Sequence, residues 1–315
     1  MAAEPVRFGG LCLYPLLGAD LGTAPYVLLD AALAAGLLTI EERSAGGSVP
    51  ELALTNAGAD RVLLLDGEEL VGAKQNRIVN TTVLVEARAT LTLPVTCVEA
   101  GRWRQETQRF SSAGTHYNAR GRQKKVAEVS ASLQSSGRAS ADQGRVWEDI
   151  GVKLDRMAVP SDTGALHAVT ERYQADLGDF QRALATPLEG QIGAAFALGR
   201  DLVGLDLFDR HGTLAALLPK LVASYALDAL DEKTYDAPPP VSVLETWLHS
   251  LSEATPSIHP AVGLGEDVRL SGLRLSGAAL EFAGAALHLS AFATAPGQTP
   301  APGRMARASQ RRRIE

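Results

Sequence analysis

The sequence predicts an α+β fold: an antiparallel β-sandwich or barrel-like sheet with helices packed on one side. Three observations lead there. Short runs rich in Val, Thr and Leu recur through the first hundred residues with period-two alternation, the pattern of half-buried strands. Apolar residues spaced three and four apart dominate the middle of the chain, as on the buried stripe of a helix. From Gly265 to Ala293 the strand pattern returns.

Leu11 to Leu17 reads as a strand. Pro25 sits where helices accept proline, in the first turn, and predicts a helix over Tyr26 to Ala35 that Gly36 stops. LLTIEER and PELALTNAG follow as short strands around a SAGG turn. Arg61 to Leu65 is a further strand, ended by the Asp66-Gly67 pair in a tight turn. Hydrophobicity drops from Gly72 to Asn80, and TTVLVEARATLTLPVTCVEAG then supplies two strands separated by Glu86 to Ala89. Residues 1–101 thus form a β-rich part whose rim carries the polar segment.

Residues 102–160 are expected to hold a basic loop and helices. Arg102, Arg104, Arg109, Arg120, Arg122, Lys124 and Lys125 face one acidic residue, Glu106, in a stretch of low apolar content. That composition predicts a long surface loop, then a helix from about Gln123 with Val126, Val129 and Leu133 on one face. A second helix from Arg145 places Trp147, Ile150, Leu154 and Met157 on one stripe.

Residues 161–255 read as a helix-hairpin-helix layer. Ser161 to Thr163 can cap a helix in which Leu166, Val169, Tyr173, Leu177, Phe180 and Leu184 recur at spacings of 3, 4, 4, 3 and 4. GQIGAAFALGRDLVGLDLFD is a hairpin turning at Gly199 and Arg200, and TLAALLPKLVASYALDAL is a helix that Pro219 kinks or starts late. DAPPP is a rigid connector to an amphipathic helix bearing Val243, Leu244, Trp247, Leu248 and Leu251. Residues 256–293 are returning strands with a turn at Gly284, expected to form one compact unit with residues 1–101. Residues 294–315, with five arginines against one glutamate in the last twelve, are expected to be a disordered Arg-rich tail.

With 46% hydrophobic and 21% charged residues, the 315-residue chain has the composition of a folded protein. A formal charge of -6 argues weakly against nucleic acid as a default partner. The N-terminus carries no basic segment followed by an apolar run, and no uncharged apolar run reaches bilayer-spanning length, so a cytoplasmic protein without a membrane partner is expected, its two cysteines reduced.

The densest polar chemistry lies in DGEELVGAKQNRIVN. Glu68, Lys74, Gln75, Asn76, Arg77 and Asn80 form a candidate ligand site, and Glu68 and Glu69 are the candidate catalytic carboxylates. Arg77 offers a planar fork for a carboxylate or phosphate, Lys74 a point charge, and Asn76 and Gln75 paired donors and acceptors for an amide, a base or a ribose. On a strand, adjacent glutamates face opposite sides, so one of the two can enter a shared pocket. The competing reading is a polar turn held by Asn and Gln side chains bonding the backbone.

The segments DGEELVGAKQNRIVNTTVLV, LPVTCVEAGRW, VPSDTGALHAV, VGLDLFD and LPKLVASYALDAL together resemble a bacterial family named for its association with ADP-ribosylglycohydrolases and rhodanese-phosphatases. The similarity runs from Gly10 to Phe292. The family's name records genomic company and establishes no activity, so the resemblance implies at most a neighbourhood of ADP-ribose or phosphate chemistry and carries over no catalytic residues.

Other constellations are weaker. Cys97 lies in an apolar strand without a local cation or histidine to activate it, which predicts a buried structural thiol. The six histidines form no HxH or HxxxH pair. Asp206 and Asp209 are weak candidates for Mg²⁺ and better ones for capping the helix near Thr213. No GxSxG, Walker or GxGxxG motif is present, and SSAGTH reads as a flexible polar loop. Trp103, Phe110 and Tyr117 interleave the basic stretch from Arg102 to Lys125, a mixture that can hold single-stranded nucleic acid, although a solvated loop is the simpler reading. No cofactor is implied. Three functions follow as expectations: a binding or regulatory module for a small anionic or nucleotide-like ligand; a hydrolase of an ADP-ribose-like or phosphorylated substrate; and an interaction scaffold using the basic loop and tail.

Overall fold

Leu11–Leu17 is apolar at almost every position because both faces of its strand are covered. In the computed structural model, which describes residues 2–22, 25–44 and 50–294, the chain opens with β1 (Val6–Phe8) and β2 (Leu11–Leu17). It continues through β3 (Tyr26–Leu28), α1 (Leu29–Ala34), β4 (Leu38–Glu42), β5 (Glu51–Asn56), β6 (Arg61–Leu64), β7 (Glu68–Gly72), β8 (Arg77–Val79), β9 (Val83–Val85), β10 (Thr90–Cys97) and β11 (Phe110–His116). Helices α2 (Ala119–Ser136), α3 (Gln143–Arg156), α4 (Leu166–Arg172) and α5 (Gln174–Leu184) precede the hairpin of β12 (Gln191–Leu198) and β13 (Asp201–Phe208). The core helix α6 (His211–Glu232), α7 (Val241–Ser252) and the meander β14 (Thr255–Pro260), β15 (Glu266–Gly272), β16 (Leu275–Phe282) and β17 (Ala285–Ala293) complete an α+β fold.

An eight-stranded antiparallel sheet runs β1-β2-β12-β13-β17-β16-β15-β14. Leu11 and Leu13 of β2 pack with Ala194, Phe196 and α6, whereas Cys12, Tyr14 and Leu16 pack with Leu244 and Trp247 of α7. Successive side chains leave opposite faces of a strand, so helices cover both faces of this sheet. A second sheet, β11-β7-β8-β10-β5-β4, curls until its edges meet through the Glu41–Arg109 bridge. Its apolar face, with Ile40, Leu54, Leu70, Val79 and Phe110, shares a core with the small sheet β3-β6-β9 and with Leu29 of α1. The returning strands β14 to β17 enter the first sheet through β13, and Leu264 bridges back to Leu84 of β9.

Helix α6 is the centre. Among the described residues it has the length and hydropathy of a membrane span, yet most of it is buried inside the protein. It is continuous through Pro219, whose carbonyl accepts from Gln181 Nε2 at 3.0 Å.

Several expectations are corrected. Tyr26–Leu28 is a strand parallel to β6, and the helix starts only at Leu29, since three aromatic and branched residues gain more from sheet pairing than from a first helical turn. The helix expected from Leu166 to Leu184 breaks at Tyr173, whose hydroxyl donates to Met157 O at 3.1 Å, and Leu166, Val169, Leu177, Phe180 and Leu184 stay buried on either side. Within the stretch expected to be a surface loop, Phe110–His116 pairs with β7 as an edge strand, and α2 begins at Ala119 rather than near Gln123. SSAGTH is therefore a strand, with a bulge at Gly114 (φ +70°). Most of SAGG and the Arg-rich tail beyond Thr294 lie outside the described residues.

The basic stretch has no unbalanced charge. Each of its seven cations has a carboxylate within 4.0 Å: Arg102 on Glu99, Arg104 on Glu106, Arg109 on Glu41, Arg120 on Glu232, Arg122 on Asp206, Lys124 on Asp149 and Lys125 on Asp66. Two of these pairs hold the sheets together. Arg122 and Lys125 share one face of α2 and are fully buried. Arg122 forks onto Asp206 of β13 at 2.7 and 3.1 Å, and His288 of β17 meets the same carboxylate at 3.1 Å. Lys125 pairs with Asp66 and donates to Val79 O and Asn80 O at 2.9 and 3.0 Å.

Replacing Arg122 by Met should cost about 3–5 kcal/mol in urea unfolding, because it strands Asp206 as an unpaired buried charge. Acid sensitivity should begin earlier than in most folds. Burial holds His116 and His288 below the ordinary imidazole range, so their stabilising contribution is full above about pH 6.5 and is lost as pH falls, by up to about 1.4 kcal/mol per pH unit for each. Asp206, buried but held low by Arg122, adds its own loss below about pH 4. Unfolding midpoints measured from pH 7.5 to 5 test the histidine contribution, and a flat profile would refute it.

Candidate functional site

Strand β7 distributes its two glutamates as the pleat requires. Glu68 Oε1 accepts from Lys220 Nζ of α6 at 2.8 Å and Oε2 from the Leu65 amide at 2.9 Å. Lys220 also pairs with Asp30 at 2.7 Å. Burial raises the Glu68 carboxyl, with Lys220 opposing it. Glu69 Oε2 instead accepts from Thr115 Oγ1 at 2.8 Å and lies 3.6 Å from His167 Nδ1, while its Oε1 is buried without a hydrogen-bond partner.

The remaining polar residues of that segment do not converge on one pocket. Gln75 Nε2 donates to Glu99 O at 2.8 Å, and its Oε1 accepts from Arg77 Nη1 at 3.1 Å and Cys97 Sγ at 3.2 Å. Arg77 is fully buried, 3.8 Å from Glu42. Asn80 spans Ala139 O and the Thr96 hydroxyl. Burial pushes the Cys97 thiol up to about 11, which removes it as a nucleophile at neutral pH. Asp206 is committed to Arg122 and His288, and Asp209 accepts from Tyr26 and from Arg210 Nε at 2.8 Å. Neither caps α6, whose first amide, that of His211, donates to Asp20. Among the described residues, no group of three or more His, Cys, Asp or Glu side chains could hold a metal ion.

An open cleft of about 980 Å³ lies beside the polar segment, between β7, β11, the loop of residues 101–107 and the N-terminal part of α4. Its floor is a closed hydrogen-bonded unit. Arg102 Nε and Nη2 fork onto Glu99 at 2.9 and 2.7 Å, Nη1 reaches Ala73 O at 2.8 Å, and Nη2 also donates to Asn76 Oδ1 at 3.0 Å. The Asn76 amide completes the set on Glu99 at 3.0 Å. Burial pulls the Glu99 carboxyl upward, but Arg102 and Asn76 outweigh it and hold it below the ordinary range. At the rim Trp103 is 49% exposed, with Lys74 Nζ 5.3 Å from its ring centroid and Arg104 extending into solvent. Thr163 O accepts from the Gly101 amide at 2.7 Å and Val98 O from the Leu166 amide at 2.9 Å, which straps α4 to the end of β10 and sets His167 above Glu69.

Of the predicted set Asn76 lines this cleft, Lys74 meets Trp103 of its rim and Glu69 stands behind His167, whereas Glu68, Gln75, Arg77 and Asn80 are buried among other partners. Sequence reasoning missed Glu99 and His167 as site residues, and it placed Arg102 and Trp103 in the basic, aromatic stretch suited to nucleic acid rather than with the polar segment. The available signal was VEAGRW, where an acid, a base and an aromatic residue follow a strand end.

Fold and site define an α+β protein with an open polar cleft over a buried, salt-bridged floor. The chain matches the ARG and Rhodanese-Phosphatase-superfamily-associated Protein domain over residues 1–292, and it belongs to that family. No curated protein and no solved structure matches it.

Because the cleft floor depends on a two-nitrogen fork, Arg102→Lys should not be conservative. It keeps the charge but loses bonds to a buried carboxylate, an expected cost of roughly 1.5–3 kcal/mol. A denaturation midpoint equal to the wild type would show that the fork does not hold the floor.

Proposed function

We propose that the cleft binds a small anionic, nucleotide-like ligand. The observation that carries this reading is the half-exposed Trp103 ring at the cleft rim, flanked by the cations of Lys74 and Arg104. An exposed indole offers a flat face for a base, and neighbouring cations offer charge for a phosphate. The volume lies near the upper end of small-ligand sites, which run from about 300 to 1,000 Å³.

The acidic groups refine the ligand class. Glu106, Asp162 and Glu171 also line the cleft, and Arg102 is already committed to Glu99. Carboxylates accept from ribose hydroxyls and from exocyclic amines but repel a polyanion, so a ligand of low charge with hydroxyl donors suits the cleft better than a polyphosphate.

Titration with AMP, by thermal shift and calorimetry, tests the proposal. AMP at 100 times its Kd should stabilise the wild type by about 2.7 kcal/mol. Trp103→Ala should weaken binding by about 1–3 kcal/mol, the usual worth of one stacked base. Arg104→Ala should weaken it further, and because both side chains are exposed neither change should move the unliganded melting temperature. No stabilisation by millimolar AMP would overturn the proposal.

A further inference from the structure

Three glutamates are buried on β7 and just past β10, and they are not held alike. Glu68 is neutralised by Lys220 and Glu99 by Arg102, each through direct charged hydrogen bonds. Glu69 has as its cationic neighbour only a titratable imidazole among the described residues, at 3.6 Å, and one of its oxygens has no hydrogen-bond partner. A buried carboxylate left in that condition is costly, and a catalytic role is one of the few reasons a fold retains such a group.

The geometry around His167 is that of a positioned base. It sits in the first turn of α4, whose start is fixed by the Leu166 amide on Val98 O and the Ala165 amide on Ser161 Oγ at 3.0 Å. Nδ1 faces Glu69 at 3.6 Å, close enough for charge attraction but not a hydrogen bond, and Nε2 lies on the other side of the ring, 3.6 Å from the exposed Glu171 carboxylate, in a residue that lines the cleft. Glu69 behind Nδ1 is buried and fixed by Thr115, whereas Glu171 beside Nε2 is exposed and screened by solvent, so the tautomer protonated at Nδ1 is favoured and the Nε2 lone pair is left for a proton from the cleft. Thr115 of β11 holds the Glu69 oxygen in place from the opposite side.

We propose that His167, positioned by Glu69, is the general base of a hydrolytic site in this cleft, and that its substrate is a phosphodiester bearing a base or other flat ring. The inference rests on the cleft being an anion site. In the reaction a water oxygen forms a bond to phosphorus while His167 Nε2 takes its proton. The bond from phosphorus to the leaving oxygen breaks, its electron pair stays on that oxygen, and the imidazolium returns the proton there. The products are a phosphomonoester and an alcohol, and the histidine is regenerated. A phosphodiester carries a single negative charge, which fits a rim where carboxylates accompany the cations.

The charged groups that face His167 set the pH dependence. They are Glu69 on β7, Glu171 one turn along α4 and Glu99 just past β10, and the Glu69 contact holds the imidazole above its ordinary range against the effect of burial. The active form is the unprotonated base, so the rate should rise as pH passes through a midpoint above about 6.5, the ordinary imidazole value. Removing the Glu69 charge should move that midpoint downward.

The test uses bis(p-nitrophenyl) phosphate as substrate and AMP as a binding probe, with wild type, His167→Gln and Glu69→Gln each checked for an unchanged thermal unfolding profile. The wild type should release p-nitrophenolate, and His167→Gln should lose about 100-fold or more of that rate, the usual contribution of a general base, while still binding AMP. Glu69→Gln should lower the rate and shift the rising limb of the pH–rate profile to lower pH, whereas a purely structural role would leave the midpoint in place. If AMP binds the wild type but no hydrolysis occurs, or His167→Gln hydrolyses as fast as the wild type, the inference falls and the anion site stands. If AMP does not bind, both fall.

Discussion

A guanidinium and an ammonium buried three residues apart on α2 are the constraint on which the rest of the structure depends. Removing either ion from water costs several kcal/mol even after relaxation, and the cost is offset only if the partner carboxylates and carbonyls arrive in the right places. Arg122 finds them on β13 of the large sheet, and Lys125 finds them at the Asp66 turn and the end of β8 in the curled one. One helix turn therefore docks two sheets in a single arrangement. Gly67 fits this demand twice, since its φ of +88° suits the turn and a Cβ there would stand 3.1 Å from the Arg122 stem.

The candidate site inherits its geometry from that junction. Strand β7 leaves the Asp66-Gly67 turn directly, so fixing the turn fixes which way Glu68 and Glu69 point. One glutamate goes to the rigid central helix through Lys220, and the other to the strapped start of α4. The polar segment is thus partly a keystone between layers and partly the base of the cleft. These roles alternate residue by residue with the pleat.

How much of this could be read from the sequence varied with the range of the interactions. The hairpin turn at Gly199 and Arg200, the turn at Gly284, the Asp66-Gly67 turn and the Leu244 and Trp247 core of the α7 stripe were legible, because local backbone geometry or a short period dictates each of them, although Val243 of that stripe is exposed. The stretch from Arg102 to Lys125 was misleading for the opposite reason. Its local composition is seven cations to one anion, but Arg122 is neutralised from 84 positions away and Lys125 from 59. A segment that looks solvated in isolation contains two of the fully buried cations among the described residues. His167 was hidden similarly, since it stands beside the apolar stripe of its helix, and its partner Glu69 comes from a strand nearly a hundred residues earlier.

The placement of β2 has a consequence for how the chain is made. Its inner edge pairs with β12 in a register that joins Leu11 to Leu198, so the strand is synthesised roughly 180 residues before its neighbour. At about 5–20 residues per second that interval lasts roughly ten to forty seconds. Throughout it, a seven-residue run that is apolar on both faces has β1 along one edge and nothing native for the other. In that interval the open edge of β2 can pair with a second copy of the growing chain, so the N-terminal hairpin needs shelter before the rest exists.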